Sequence, residues 1–265
     1  MDPHVLILAA LILFLGALLQ GAIAFGISLF ATPLLLNIGV PLPTVLATMS
    51  LATAIQSASG AHDLRRAVPW RRVATALPWR LAGLLAGLWA LRRLAAASTT
   101  GIRFWVGFAM LALTLLQALW RPTPRPRLHP AWDAAALLVS GFCAGLVSMG
   151  GPALVLWVMA HDWDARRTRG FLFASFLCLV PVQLTLLYHN FGAPILRGLA
   201  LAAILSPAIL FGSLIGLRLG RRFSKIWLQR LAYAVLFFIA LNAMAPRVRD
   251  WLDTSGSPAQ KETSP

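Results

Sequence analysis

The chain is short of charge, and of acid above all. Asp, Glu, Lys and Arg make up 12% of its 265 residues, and only eight are acidic. A soluble domain carries about twice that charged fraction, so a water-solvated globule is excluded. No acid falls inside an apolar run, which removes paired-carboxylate catalysis and carboxylate-based proton coupling across a membrane. Cysteine is as scarce. Cys143 and Cys178 both sit in apolar runs, with no metal-ligand spacing and no disulfide framework. A serine nucleophile at Ser148 would need a nearby buried histidine, and the sequence places none there. No enzyme, cofactor or metal is expected. The first apolar run lacks a basic leader, so it does not read as a cleaved signal peptide.

Apolar sequence is what the chain has in abundance. Hydrophobic residues make up 59% and mean hydropathy is +0.77. They fall in blocks at about 5–38, 45–61, 73–91, 102–120, 134–160, 171–188, 195–219 and 226–245. Most of these approach or exceed the ~20 residues that span a bilayer. The fold class that follows is an all-α polytopic membrane protein. The net charge of +15 would suggest nucleic acid in a soluble protein, but here the arginines lie between apolar blocks, where they set orientation. The expected partners are the lipid bilayer and a small anionic substrate, with a homo-oligomer left open and nucleic acid excluded.

The Pro- and Arg-rich stretch "RPTPRPRLHP", 121–130, cannot continue a membrane helix and divides the chain almost in half. The two parts repeat each other. In "LPWRLAGLLAGLWALRR" (77–93) and "SPAILFGSLIGLRLGRR" (206–222), Pro78 falls on Pro207, Gly83 on Gly212, Gly87 on Gly216 and Arg92-Arg93 on Arg221-Arg222. "QGAIAFGIS" (20–28) likewise matches "AGLVSMGGP" (144–152), setting Gly21 on Gly145 and Gly26 on Gly150. The reading is two homologous four-segment repeats, 1–120 and 132–245, joined by a linker at 121–131 and followed by a disordered tail, 246–265.

The first segment of each repeat is over-long and broken near its middle, with arms short for a full crossing. A re-entrant hairpin is one solution. The arginines and lysines favour it. If all eight blocks cross, the two sides receive eleven each. If the first and fifth blocks are hairpins, the counts become fifteen and seven, a positive-inside asymmetry. Broken backbone at membrane depth must be buried in protein or line a polar cavity. A helix start at such a break presents free N–H groups and a positive dipole end, suited to an anion. The alternative use of these glycines is close helix packing, which better fits Gly83, Gly87, Gly212 and Gly216.

The candidate binding set follows: Gln20, Gly21, Phe25 and Gly26 at the first break, and Gly145, Ser148, Met149, Gly150, Gly151 and Pro152 at the second. Ser50 and Thr53 share a helix face with Gln56, Thr48 lies on the same block, and Ser175 occupies the position of Ser50 in the second half, with Gln183 and Thr185 beyond it. Arg80 lies well inside the third block with no acid in any nearby apolar run. It serves either as an anion ligand or as a residue snorkelling to the membrane surface. His62 and His189 lie at block ends and read as surface residues.

At "LLQGAIAFGISLFATPLL" (18–35), "SGFCAGLVSMGGPALVLWV" (140–158) and "RRTRGFLFASF" (166–176) the chain resembles the TauE/SafE family of sulfite exporter-like anion transporters. The resemblance extends to about Ala245. It implies export or uptake of small sulfur-containing anions, sulfite and organosulfonates; with the two broken repeats, the expectation is alternating access in a bacterial inner membrane. Many members carry a GxGG-like run in the first break, where this chain has Phe25-Gly26-Ile27. A non-transporting scaffold or sensor subunit is the competing class, although a scaffold needs no broken helices.

Overall fold

A computed structural model describes residues 3–23, 27–97 and 128–222, with isolated positions 108, 112, 115, 123 and 124 between. Phe25, Gly26, most of the fourth block, the eighth block and the tail lie outside the described residues. Those described form helices and no strand: α1 (Pro3–Ile23), α2 (Ile27–Asn37), α3 (Leu42–Asp63), α4 (Trp70–Ala97), α5 (Pro130–Val147), α6 (Gly151–Met159), α7 (Ala165–Phe191), α8 (Ala193–Ile204) and α9 (Ser206–Arg222). Four of these, α1, α4, α5 and α7, are long and apolar enough to cross a membrane. A fifth span is available if α8 and α9, bent by 54°, are counted as one.

Local sequence sets the ends. His129 Nδ1 accepts from the Ala131 amide and Pro130 opens α5, while Asp164 accepts from the Arg167 amide at 3.0 Å to start α7. Gly192, at φ 67°, separates α7 from α8. The seventh apolar block divides at Leu205, just before Pro207, because proline cannot continue the hydrogen-bond ladder of the helix before it. The first arm of the opening block is longer than its sequence suggests: α1 carries its helix through Gln20 and Gly21 to Ile23, for 21 residues.

Glycine decides which helices meet most closely. A β-carbon at Gly83 or Gly87 would collide with the carbonyls of Leu138 and Phe142, so α4 lies directly on the α5 backbone. A β-carbon at Gly212 or Gly216 would collide with the carbonyls of Phe14 and Leu18, so α9 lies in the same way on α1. Bare Cα–H groups against carbonyls permit this approach. Between the two pairs, α3 packs on α7 and α8. There Thr48 donates to the Thr44 and Gly198 carbonyls, at 2.8 and 3.0 Å. Ile7, Leu8, Leu11, Leu85, Trp89, Phe211 and Leu214 point outward, an apolar surface suited to lipid rather than water.

α5 and α6 form a hairpin whose outer ends meet, with Trp157 Nε1 donating to Asp133 at 2.8 Å. The same end of the molecule gathers the start of α4, where Arg72 and Thr75 line a surface recess with Pro130 and Asp133. Residues 62–67 and Asp164 and Arg166 share a basin, and Gly170 lies against Val68.

Candidate functional site

The α5–α6 turn is built around Ser148, the one described non-glycine residue in the left-handed region, at φ 56°. It ends α5 as glycine ordinarily does: its amide donates to the Ala144 carbonyl and the Met149 amide donates back to Cys143 at 3.1 Å. A side chain held there costs of order 1–3 kcal/mol, and such strain clusters at ligand sites. Around the hydroxyl a polar cluster closes. Gln183 Nε2 donates to Ser148 Oγ at 3.0 Å and to the Ala144 carbonyl at 3.1 Å. Ser148 Oγ lies 3.3 Å from the Leu46 carbonyl and 3.4 Å from Ser50 Oγ. Ser140 Oγ donates to the Gly150 carbonyl at 2.8 Å, tying the turn to α5. α6 then begins at Gly150 with no side-chain cap.

Arg80 faces this turn from α4. It is 1% exposed, so it does not snorkel. Its Nη1 donates to the Ser175 carbonyl at 2.8 Å and its guanidinium carbon sits 5.4 Å from the Phe176 ring centroid. Nε and Nη2 are buried without a hydrogen-bond partner. No ion pair to Arg80 occurs among the described residues. An unpaired buried cation costs several kcal/mol, so the arrangement is complete only with water or an anion.

These groups enclose a cavity of about 50 Å³, several times the volume a single water needs. Of the sequence-expected residues it brings together Gln20, Ser50, Thr53, Arg80, Ser148, Met149, Gly150, Gly151 and Pro152. It leaves others elsewhere. Gly145 is a packing residue, since a β-carbon there would strike the Leu84 carbonyl. Gly21 borders a neighbouring cavity. Ser175 contributes its carbonyl to Arg80, while its hydroxyl is buried and unpartnered. Thr185 is exposed and back-bonds to Pro181. Phe25 and Gly26 lie outside the described residues.

Ser28, Phe176 and Gln183 also line the cavity. Of these, Gln183 was already a sequence candidate as an intramembrane polar residue, whereas Ser28 and Phe176 were not singled out. Ser140 was not singled out either: its role depends on the chain folding back from Gly150.

At the first break Gln20 does what no residue among those described does at the second. Its Oε1 accepts from the Ile27 amide at 3.2 Å, capping α2 from the preceding helix.

Apolar helices facing outward, with a small polar chamber where broken helices meet, define an integral membrane protein. The chain belongs to the sulfite exporter TauE/SafE family, a family of membrane transporters whose profile matches residues 8–243. The probable sulfite/organosulfonate exporter TauE of Cupriavidus necator is 27% identical over 242 residues, covering 89% of this chain and 93% of its own length. No solved structure matches the chain.

Proposed function

We propose that the chain exports small sulfur-containing anions, sulfite and organosulfonates, across a bacterial inner membrane by alternating access, binding them in the chamber at Arg80. The outward direction follows the family's description and the relative's name. The observation that carries the reading is Arg80 itself: a buried guanidinium with two free nitrogens, beside an uncapped helix start at Gly150, without a carboxylate among the residues lining the chamber. A planar guanidinium matches two oxygens of a sulfite or sulfonate, and the α6 N-terminus adds a positive dipole end. Hydroxyls of Ser50, Thr53 and Ser148 and the Gln183 amide supply further polar contacts. The cavity volume suits one small oxyanion with little water.

Two inverted repeats with re-entrant hairpins at α1–α2 and α5–α6 are the framework we infer. Phe14 and Leu18 align with Leu138 and Phe142, so the α1–α9 and α4–α5 contacts use equivalent positions on both partners. That exchange supports a two-fold relation between the halves. The meeting of Asp133 with Trp157 supports a hairpin that returns to its own side, as does the shared basin of 62–67 with 164–166. Rocking one repeat against the other would then expose the chamber to each side in turn.

The test is flux of labelled sulfite, methanesulfonate and sulfate in proteoliposomes. Sulfite or methanesulfonate flux well above that of empty liposomes is expected. No flux of any of the three would remove the transport reading and leave a scaffold or sensor subunit.

A further inference from the structure

We propose that a polar vestibule between α1, α3, α7 and α9 is a second anion site, in series with the central chamber and taking the same small sulfonates and sulfur oxyanions. Its connection to transport rests on the reading above; its ligand chemistry does not. The vestibule has a volume of about 310 Å³ and is lined by Gln20, Gln56, Ser59, Arg166, Arg169 and Ser213 among others.

Gln56 is the decisive residue. It is 3% exposed, and both its amide nitrogen and its amide oxygen lack a hydrogen-bond partner. A primary amide left unpaired in a membrane interior is costly, because no solvent there replaces the lost partner. Gln56 nevertheless forms part of a cavity wall, where a bound oxyanion and its water can take the two N–H donors and meet the carbonyl.

Charge selects the sign of the ligand. Arg166 and Arg169, three apart on the first turns of α7, share one face of that helix. Asp63 is the acid among the lining residues. The vestibule adjoins the larger surface basin through Asp63, Leu64 and Arg166, and Arg65 and Arg66 stand in that basin. Across both, four arginines face two aspartates, and one of these, Asp164, is engaged in capping α7. A low-dielectric funnel lined by excess cation concentrates anions at its floor. The floor leads on: Gln20 borders the vestibule and the central chamber alike. An anion thus meets exposed guanidinium groups, then the Gln56 amide, then Gln20, then Arg80.

Thiol labelling separates this site from the central one without needing flux. In a protein with Cys143 and Cys178 replaced by alanine, Ser59→Cys is treated with 2-sulfonatoethyl methanethiosulfonate or its trimethylammonium analogue. Each rate is divided by the rate on a free thiol. The anionic reagent is expected to be favoured about tenfold or more, in the range of electrostatic focusing. The bias should collapse when Arg166→Gln and Arg169→Gln are introduced together. Millimolar methanesulfonate should slow labelling, and Gln56→Leu should remove that protection while keeping the bias. Protection should persist in Arg80→Gln. Absence of an anionic bias, or of methanesulfonate protection, overturns the proposal on the Gln56-containing protein alone. So does protection that survives Gln56→Leu. Protection lost in Arg80→Gln would place the protecting anion in the central chamber and likewise overturn a separate site. A protein that transports but shows no bias loses only the vestibule; one that shows bias and protection but no flux loses only transport.

Discussion

The two breaks occupy equivalent places in the chain and are finished in opposite ways. At the first, Gln20 reaches forward and its side-chain oxygen accepts from the Ile27 amide, so part of the α2 start is satisfied by protein. At the second, the position aligned with Gln20 is Ala144, whose methyl offers no acceptor, and α6 begins without a side-chain cap. The cations are as unequal. Arg80 stands over the second break, whereas its aligned residue, Ile209, is fully buried in an apolar cluster with Leu13 and Ile27. At the first, one α2 amide is satisfied by a side chain; the second is left polar, strained at Ser148 and facing a guanidinium with two unpartnered nitrogens. A few side chains distinguish the two, and the unpartnered polar groups of the chamber lie beside the second.

The comparison breaks most sharply at Arg80. Arg80→Gln should lower anion flux by about thirtyfold or more at normal membrane abundance, since deleting one member of a buried charge pair costs about 2–5 kcal/mol. Arg80→Lys should keep weak flux with poorer apparent affinity, because ammonium cannot present the planar fork. Wild-type apparent affinity in Arg80→Gln, measured by concentration-dependent flux, would return Arg80 to a structural role.

Glycine substitutions sharpen the contrast between packing and binding. A β-carbon at Gly151 would meet only Phe176, at 3.6 Å, and so enters the chamber side of the turn. At Gly150 it would press on the Ser140 carbonyl at 2.7 Å. Gly151→Leu should therefore cut flux about tenfold or more with the protein still folded. Gly150→Ala should lower thermal stability, by about 1–3 kcal/mol for overpacking. Gly83→Leu, aimed at the α5 backbone, should reduce abundance rather than affinity. Normal flux with Gly151→Leu would move the anion away from the α6 start.

A smaller effect is expected at the first break. Gln20→Leu removes the cap on α2 and should cost about 1 kcal/mol, the net value of one hydrogen bond. It should shift the melting temperature and change apparent affinity only a few-fold. A loss of flux as deep as that of Arg80→Gln would mean that both tips bind.

The smallest effect belongs to the outer end of the α5–α6 hairpin. Burial lowers the His161 pKa below its ordinary 6.5; the Trp157 carbonyl and Asp133 oppose this, and Arg72 and Arg167 add to it. A histidine depressed in the folded state binds more protons when unfolded. Its stability contribution is therefore present above about pH 6.5 and declines as pH falls through the lowered folded value. The imidazole lies 4.3 Å from the Trp157 ring and 4.7 Å from Trp163. Acidification should dim tryptophan emission with a midpoint below 6.5, and His161→Phe should abolish that component. An unchanged titration in His161→Phe would show that the signal arises elsewhere.

Sequence alone determined the class of this protein. Its apolar blocks, free of acids, demand a bilayer because no other solvent tolerates so much exposed hydrocarbon. Its Gly-Gly-Pro run located the interruption after Val147, and the shared face of Ser50 and Thr53 followed from helical spacing. The close contacts at Gly83, Gly87, Gly212 and Gly216 were legible too, because small residues four apart let backbones touch. Which polar residues converge was decided only by tertiary structure. Gly145 and Gly150 are both glycines of one motif, yet one packs against α4 and the other lines the chamber. Arg80 had two readings until the α4–α5 contact buried it beside Phe176. Ser140 and the forward reach of Gln20 have no local signature, because each depends on chain folding back from a break. Hydropathy and spacing act along one helix at a time, whereas a binding site is a set of donors brought together from several.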